Sequence, residues 1–364
     1  MHLPEKINNS NWSLHPSWRD FFSMKYLLGL FLLFSLAGCY KEDDLPESEG
    51  HIKPDIPAEF PEVSIPEDNP ITNSKVELGR YLFYDTQLSK DQTVSCASCH
   101  QLQNAFSDAG YSKSTGIFGR KGKRNSPTLT NVAYNLKFFA EGGVPSLEFQ
   151  AIAPIIDILE MGMNTDTLVE RLKKDLKYKS RFKLAWGDEQ ITFERITKSI
   201  ATFERMLISS NSPFDKWNRG NTNAISASAK NGYKIFFSEK GDCFHCHNGF
   251  NFTDNGFHNT SLDSATIDYG RYRITLDDKD IAKFKTPTLR NIEKTFPYMH
   301  DGRFQTLEEA VNHYNSGGKH HPNSDALMRP LHLTDQEKED LIAFLKSLTD
   351  ESFINNSKFE NPFK

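Results

Sequence analysis

The stretch "SCASCH" at residues 95–100 sets two cysteines three apart with a histidine directly behind the second, and the same spelling returns as "DCFHCH" at 242–247. Three chemistries compete for it. A redox dithiol wants its cysteine pair at a helix start in a βαβ setting and draws no benefit from a histidine fixed behind both copies. A four-cysteine zinc site requires the two pairs to meet across 143 intervening residues, whereas the repetition assigns each pair to its own part of the chain. Covalently bound c-type haem uses every residue: both thiols add to the porphyrin vinyl groups and the adjacent histidine coordinates iron from one face. Cys96 and Cys99 therefore attach a first haem with His100 as proximal ligand, and Cys243 and Cys246 attach a second with His247. His245, inside the second motif, reads as a surface residue.

The repetition extends well beyond the cysteines. "SPTLTNV" at 126–132 returns as "TPTLRNI" at 286–292, "AEGG" at 140–143 as "HDGR" at 300–303, and "SLE" at 146–148 as "TLE" at 306–308. Pro127 to Leu147 and Pro287 to Leu307 are both 20 residues, and "GRYLFYD" and "GYKIFFS" lead into the two motifs. Apolar residues from Ile191 through Ile196, Ile200 and Phe203 to Leu207 recur at helical steps, and Thr334 with Glu337 spells a capping box before "KEDLIAFLKSL". No segment alternates as a strand does. The expected fold is all-α, with two cytochrome c-like domains from a tandem duplication, each with one covalently bound c-type haem, long loops and little β. The expected limits are 71–222 and 223–350, with a seam near 210–225 and a tail at 351–364.

The 364-residue chain has net charge −5 and no dense run of Lys and Arg, which excludes nucleic acid as a partner. From Met24 it reads "MKYLLGLFLLFSLAGCY", an apolar run too short to span a bilayer, ending in small residues before Cys39. Residues 1–38 are expected to be a lipoprotein signal whose translation starts at Met24, with Cys39 the lipidated residue. The acidic, Pro-rich stretch 39–70 then reads as a solvated tether. This places the protein in the cell envelope of a Gram-negative bacterium, lipid-anchored on the periplasmic face or the cell surface. Of five cysteines, one is spent on lipid and four on haem, and none remains for a disulfide.

The sixth iron ligand decides whether a haem carries electrons or performs chemistry. Between His100 and His245 there is no histidine, so the first haem takes no distal histidine from its own half. Met161 and Met163 lie in reach along the chain, while Met206 sits on an amphipathic helix, where packing is its use. The second half offers His258, Met299, His300, His313, Tyr314, His320, His321, Met328 and His332.

From about Lys75 to Thr349 these segments, with "KGKRNSPTLTNV", "SLEFQAIAP…EMGM" and "KTPTLRNIEKTFPYMHDGRFQTLEEAV", resemble the bacterial di-haem cytochrome c peroxidase family, which includes the MauG-type enzymes. The resemblance implies a peroxidatic first haem, fed with electrons through the second from a small donor protein such as a cytochrome c or cupredoxin. It implies a distal glutamine and glutamate ten residues apart, which fall on Gln150 and Glu160. It implies one calcium ion between the domains, held by the side chain of Asn125 and by the carbonyls of Lys285 and Pro287. It also allows a homodimer.

Three departures from the family pattern carry expectations. Many members place a histidine 16 residues after the first CxxCH histidine, and it must swing away before peroxide binds; here Gly116 and Ile117 stand there, so the first haem is expected to be open even when fully oxidised. The usual Trp-Asp pair between the haems is Ala140-Glu141, which predicts slower inter-haem transfer, through backbone or through Phe138 or Phe139. Peroxidases of the family ligate the second haem with methionine and the MauG type with tyrosine. "HPNSDALMRPLHL" favours Met328, with Met299 and Tyr314 in reserve. The leading expectation is reduction of hydrogen peroxide to water; a MauG-like oxidase of a protein side chain and a non-catalytic electron-transfer cytochrome c are the alternatives.

Overall fold

Two helix pairs of the same design carry the two halves. In the computed structural model, which describes residues 50–364, the helices are Asn73–Tyr84 (α1), Cys96–Cys99 (α2), Leu147–Gln150 (α3), Ile152–Ile156 (α4), Thr165–Lys173 (α5), Leu176–Trp186 (α6) and Phe193–Arg205 (α7). They continue as Pro213–Asn218 (α8), Ala227–Phe236 (α9), Tyr272–Thr275 (α10), Leu307–Ser316 (α11), Asp335–Lys346 (α12) and Glu351–Ile354 (α13). Among the described residues the one sheet is a pair of two-residue antiparallel strands, Phe257–His258 (β1) and Phe284–Lys285 (β2). The protein is thus all-α, and the expected signals are local causes of its helices. Thr192 caps α7 by accepting from Arg195 N, and Ile196, Ile200 and Phe203 line its buried face. Thr334 and Glu337 close the reciprocal capping box of α12. The segment before residue 50, with the expected signal 1–38, Met24 and Cys39, lies outside the described residues.

In the first half α1 packs along α7, and in the second α9 packs along α12. Each pair meets at a glycine. A Cβ on Gly79 would lie 2.0 Å from Ser199 O, and one on Gly232 would lie 1.9 Å from Asp340 O, so only a hydrogen lets the backbones approach this closely. Beside each contact three phenylalanines pack ring against ring: Phe83, Phe106 and Phe203 in the first half, Phe236, Phe252 and Phe344 in the second. All six are fully buried. Burial stabilises by about 1.5–3 kcal/mol per ring, and these two clusters anchor the two cores.

The repeated "TLxN" motifs meet at the seam. Asn131 and Asn291 both adopt a left-handed backbone conformation that asparagine tolerates, with φ of 54° and 60°. Their amides bind Leu207 O and Leu348 O, at the ends of the two long helices. Across the seam Asn131 Nδ2 donates to Asn251 Oδ1 and Asn291 Nδ2 to Ser209 Oγ, at 3.1 and 3.0 Å. Arg290, 1 % exposed, forks onto both oxygens of Asp215 at 2.9 and 3.0 Å. A buried charge needs such a bidentate partner to be tolerated.

Three segments depart from the expected division. The Pro-rich stretch is not a solvated tether over its described part: Phe60 is 6 % exposed and packs on Tyr134 of the first half and on Phe250 and Arg290 of the second. Asn69, fully buried, donates to Glu148 Oε1 and Lys198 O. One aromatic ring and one amide suffice to bind an otherwise polar strap. Helix α8, assigned by the 222 boundary to the first domain, packs Phe214 against Tyr233, Phe252 and Phe344 of the second. The tail doubles back: Phe353 and Phe359 lie against Phe106, and Tyr84 donates to Phe359 O at 2.7 Å. It completes the first core rather than extending the second.

Candidate functional site

Each CxxCH is a single tight turn that presents its histidine in one tautomer. Ser95 caps α2, with Ser98 returning the bond, and His100 N closes the turn on Cys96 O. His100 Nδ1 donates to Phe106 O at 2.9 Å, and His247 Nδ1 to Phe252 O at 3.0 Å. Phe106 and Phe252 are themselves left-handed, with φ of 57° and 50°, which turns these carbonyls inward at a local cost of about 1–3 kcal/mol each. The carbonyls of Pro127 and Pro287 also act on the two rings. With Nδ1 carrying the proton, Nε2 keeps its lone pair. Burial lowers both histidines below their ordinary pKa, so both rings are neutral.

The four cysteines are free thiols. Burial pushes Cys99 up to about 11 and Cys243 to about 12, and raises Cys96 further still. Reactive dithiols have the opposite environment, in which the thiolate is stabilised. Two paired thiols, a neutral imidazole with its Nε2 lone pair available and an apolar surround fit a covalently attached c-type haem in each half. His100 and His247 are the residues that would hold the irons.

In the first half Gln150 ends α3, which Ser146 caps, and Glu160 follows the turn after α4. Among the described residues neither side chain makes a hydrogen bond within the protein. Solvent reaches Glu160, yet crowding by protein atoms raises its carboxyl above the usual carboxylate range, and Asp157 adds to the shift. Its charge acts on both Cys96 and Cys99, which places it beside the first attachment site. Its backbone is pinned. Ile117 N donates to Glu160 O at 2.8 Å, Arg120 Nη1 to Ile158 O at 2.9 Å, and Lys90 N to Met161 O at 2.9 Å. A Cβ at Gly116 would lie 2.0 Å from Leu159 O. The position at which relatives are expected to carry a swinging histidine is here a clamp on the loop that bears Glu160. Met161 and Met163 are buried in the first core, with Met206 packed against it.

The second half sorts its many candidate ligands by what already holds them. His258 points Nδ1 at Asp325 and Nε2 at Asp254, at 2.6 and 2.8 Å. Cys246, then these two carboxylates, raise it to about 10, so both nitrogens carry protons. His313 binds Thr260 O, and His321 contacts Asn259 and Thr266. Tyr314 is different. Burial, with Cys246 and Cys243 adding to it, drives its phenol far above the ordinary range, and among the described residues its hydroxyl makes no hydrogen bond. Met328 lies half-buried in the 321–330 loop, its N bonded to Asp325 O.

Between the halves Ala140 O accepts from Lys285 N at 2.8 Å. Phe284 stacks on His300 at 3.8 Å and 11°, beneath the Arg124 guanidinium, and Arg124 forks onto Asp268 at 2.7 and 2.9 Å. Asn125 N donates to His300 O and Asn125 Nδ2 to Tyr111 O, so its Oδ1 remains as an acceptor. The Lys285 amine has no ion pair among the described residues, and burial lowers it to about 8. Sequence reading gave Arg124, Phe284 and His258 no role in these contacts; their partners are up to 144 residues away, and no local pattern announces them.

Comparison with known proteins bears on the same segments. The sequence pattern of the family described as "Di-haem cytochrome c peroxidase" matches residues 73–223, and that of "Cytochrome c" matches 229–349. The chain is 39 % identical over 286 residues to the methylamine utilization protein MauG of Methylorubrum extorquens, covering 78 % of this chain and 80 % of that one. It is 36 % identical over 279 residues to the cytochrome c551 peroxidase of Nitrosomonas europaea, covering 75 % and 79 %. The crystal structure of a MauG-like protein associated with microbial copper homeostasis superposes with a TM-score of 0.81 at 34 % identity, over 85 % of this chain and 99 % of the other.

Proposed function

This chain belongs to the di-haem cytochrome c peroxidase family, and from that premise we propose that it reduces hydrogen peroxide to water with electrons from a small donor protein. When bound, the two c-type haems supply redox-active iron, the first for the reaction with peroxide and the second for electron entry. The protein's own share is proton handling and positioning. Glu160 takes a proton from one peroxide oxygen and returns it to the other as the O–O bond breaks, and Gln150 orients the peroxide by a hydrogen bond. Two electrons and two protons from solvent complete the conversion of one peroxide to two waters.

The observation that carries this reading is Glu160 itself: a carboxyl with no protein partner among the described residues, a raised pKa, and a backbone held by Ile117. Steady-state peroxide turnover with a cytochrome c donor tests it. Glu160→Gln is expected to lose about 10²–10⁴-fold in rate; wild-type turnover by that variant sinks the assignment. Gly116 supports the expectation that the first haem needs no reductive activation, since a side chain there meets the Leu159 carbonyl.

The remaining site assignments belong to the same proposal. Asn125 Oδ1, with the carbonyls of Lys285 and Pro287, holds a calcium ion, an oxygen set suited to a hard cation. Cys39 carries a lipid that holds the protein in the envelope, on the periplasmic face or cell surface, and the functional unit can be a homodimer. No helix among the described residues is long and apolar enough to cross a membrane.

A second reading, a MauG-like oxidase of a protein side chain, draws on Tyr314, whose hydroxyl lies within electrostatic reach of Cys243 and Cys246. Tyr314 rather than Met328 would then be the sixth ligand of the second haem. Resting-state spectra of Met328→Ala and Tyr314→Phe discriminate: the variant that removes the true ligand changes the second haem's spectrum, and the other leaves it intact.

A further inference from the structure

A buried carboxyl on α7 has no place in the chemistry above. Glu204 is 4 % exposed, and its Oε2 is sealed from solvent with no hydrogen-bond partner. A carboxylate in that position would lose its hydration with no hydrogen bond to replace it. The group is therefore held as the neutral acid, and burial lifts its pKa to about 8.

The duplication shows that the fold does not need it. Gly79 abuts Ser199 and Phe203 as Gly232 abuts Asp340 and Phe344, and Leu207 O binds Asn131 as Leu348 O binds Asn291. This register places Glu204 opposite Leu345, a buried apolar residue. Its neighbours differ in the same way. Arg205 Nη1 lies 2.6 Å from Glu148 Oε1 as an ion pair off hydrogen-bond alignment, both nearly buried, whereas the equivalent Lys346 and Glu308 are exposed. The half expected to react with peroxide thus carries a buried Glu-Arg-Glu group where the other half carries leucine. Glu204 also acts electrostatically on Cys96.

We propose that Glu204 is a proton-holding residue of the first haem, taking up a proton from solvent when one electron reduces the iron from ferric to ferrous and releasing it on reoxidation. The proposal rests on the assignment of Cys96, Cys99 and His100 to that haem. Reduction removes one positive charge from the centre, which makes ionisation of a nearby carboxyl less favourable, so its pKa is higher in the reduced protein. Arg205 on its own helix and Glu148 on α3 act on it, and it acts on Cys96 of α2; of α1, packed along α7, Gly79 and Phe83 lie against Ser199 and Phe203, and the buried Lys75 amine lies over the Trp186 ring. Arg205 is paired throughout with Glu148, which is held ionised, at about 2, despite its burial, by Arg205 and Asn69, so Glu204 is the member of the group left to exchange a proton.

The test is a spectroelectrochemical titration of the intact di-haem protein between pH 6 and 9. In the wild type the midpoint potential of the first haem should fall as pH rises, while that of the second stays flat through the same window. Glu204→Gln should abolish the slope and hold the potential at the wild-type low-pH plateau, because the amide mimics the protonated acid. Glu204→Leu, which installs the residue of the other half, should also be flat. An unchanged slope in either variant, or a flat wild type, overturns the proposal. If both variants fail to fold, proton uptake on reduction of the wild type in weakly buffered solution decides it, and no uptake overturns it. Absence of a bound first haem in the wild type would instead refute the assignment on which the proposal rests.

Discussion

The two halves share a scaffold to the level of single atoms and differ in what surrounds the same histidine. Both hold their imidazole by a phenylalanine carbonyl turned inward, both pack three phenylalanines beside a glycine contact, and both end a long helix on an asparagine of the same motif. Helix α3, with Gln150, corresponds to α11, and the first half then runs 52 residues from Leu147 to Ser199 where the second runs 33 from Leu307 to Asp340; Glu160 lies in that longer connection. The second half passes from α11 through the 317–334 loop to α12 and places Tyr314 and the Asp325–His258 bond around its cysteines. The histidine side of each motif is thus common to both copies, and the halves differ in the connection that follows α3 and α11. The proposed difference in reactivity between two alike haem sites is therefore traced to that connection, 19 residues longer in the first half, and not to the CxxCH turns.

The largest way to break this comparison is Glu160→Gln, with the 10²–10⁴-fold loss given above and unchanged stability. The pH profile sharpens it. Glu160 must be ionised to take a proton and its pKa is raised, so turnover should climb with pH through an inflection above the ordinary glutamate value and lose that limb in the variant. Next in size is Phe359→Ala, expected to destabilise by about 3–5 kcal/mol. Because Phe359 lies on Phe106, the first haem's spectrum should broaden while the second's stays sharp; equal disturbance of both would contradict the separate cores. Gly79→Ala and Gly232→Ala should each cost about 1–3 kcal/mol by overpacking, and thermal unfolding should show them alike. A tolerated substitution in one half would show that the helix pairs are not equivalent. The smallest effect is expected from Ala140→Trp, which should speed inter-haem transfer in stopped-flow traces without changing either spectrum.

Much of this was legible in the chain because duplication prints the same contact twice. The CxxCH turns, the capping box at Thr334 and the α7 stripe are all local patterns, and each formed where its residues indicated. The Pro-rich stretch misled, since composition reports average polarity while one ring, Phe60, decides where the strap binds. The role of Gly116 was half-visible. Its lack of a ligating side chain could be read directly, but its contact with Leu159 O depends on a loop 43 residues away. Glu204 was hidden altogether, because an acid at that step of an amphipathic helix reads as a surface residue until the neighbouring helices are in place.

The returning tail acts on the first motif at a distance. Phe353 and Phe359 close over the Phe106 ring. The backbone of that same Phe106 aligns His100. The carbonyl that orients the first imidazole is therefore braced by side chains 247 and 253 residues further along the chain. The second motif has no such distant brace, since the last member of its core is Leu348.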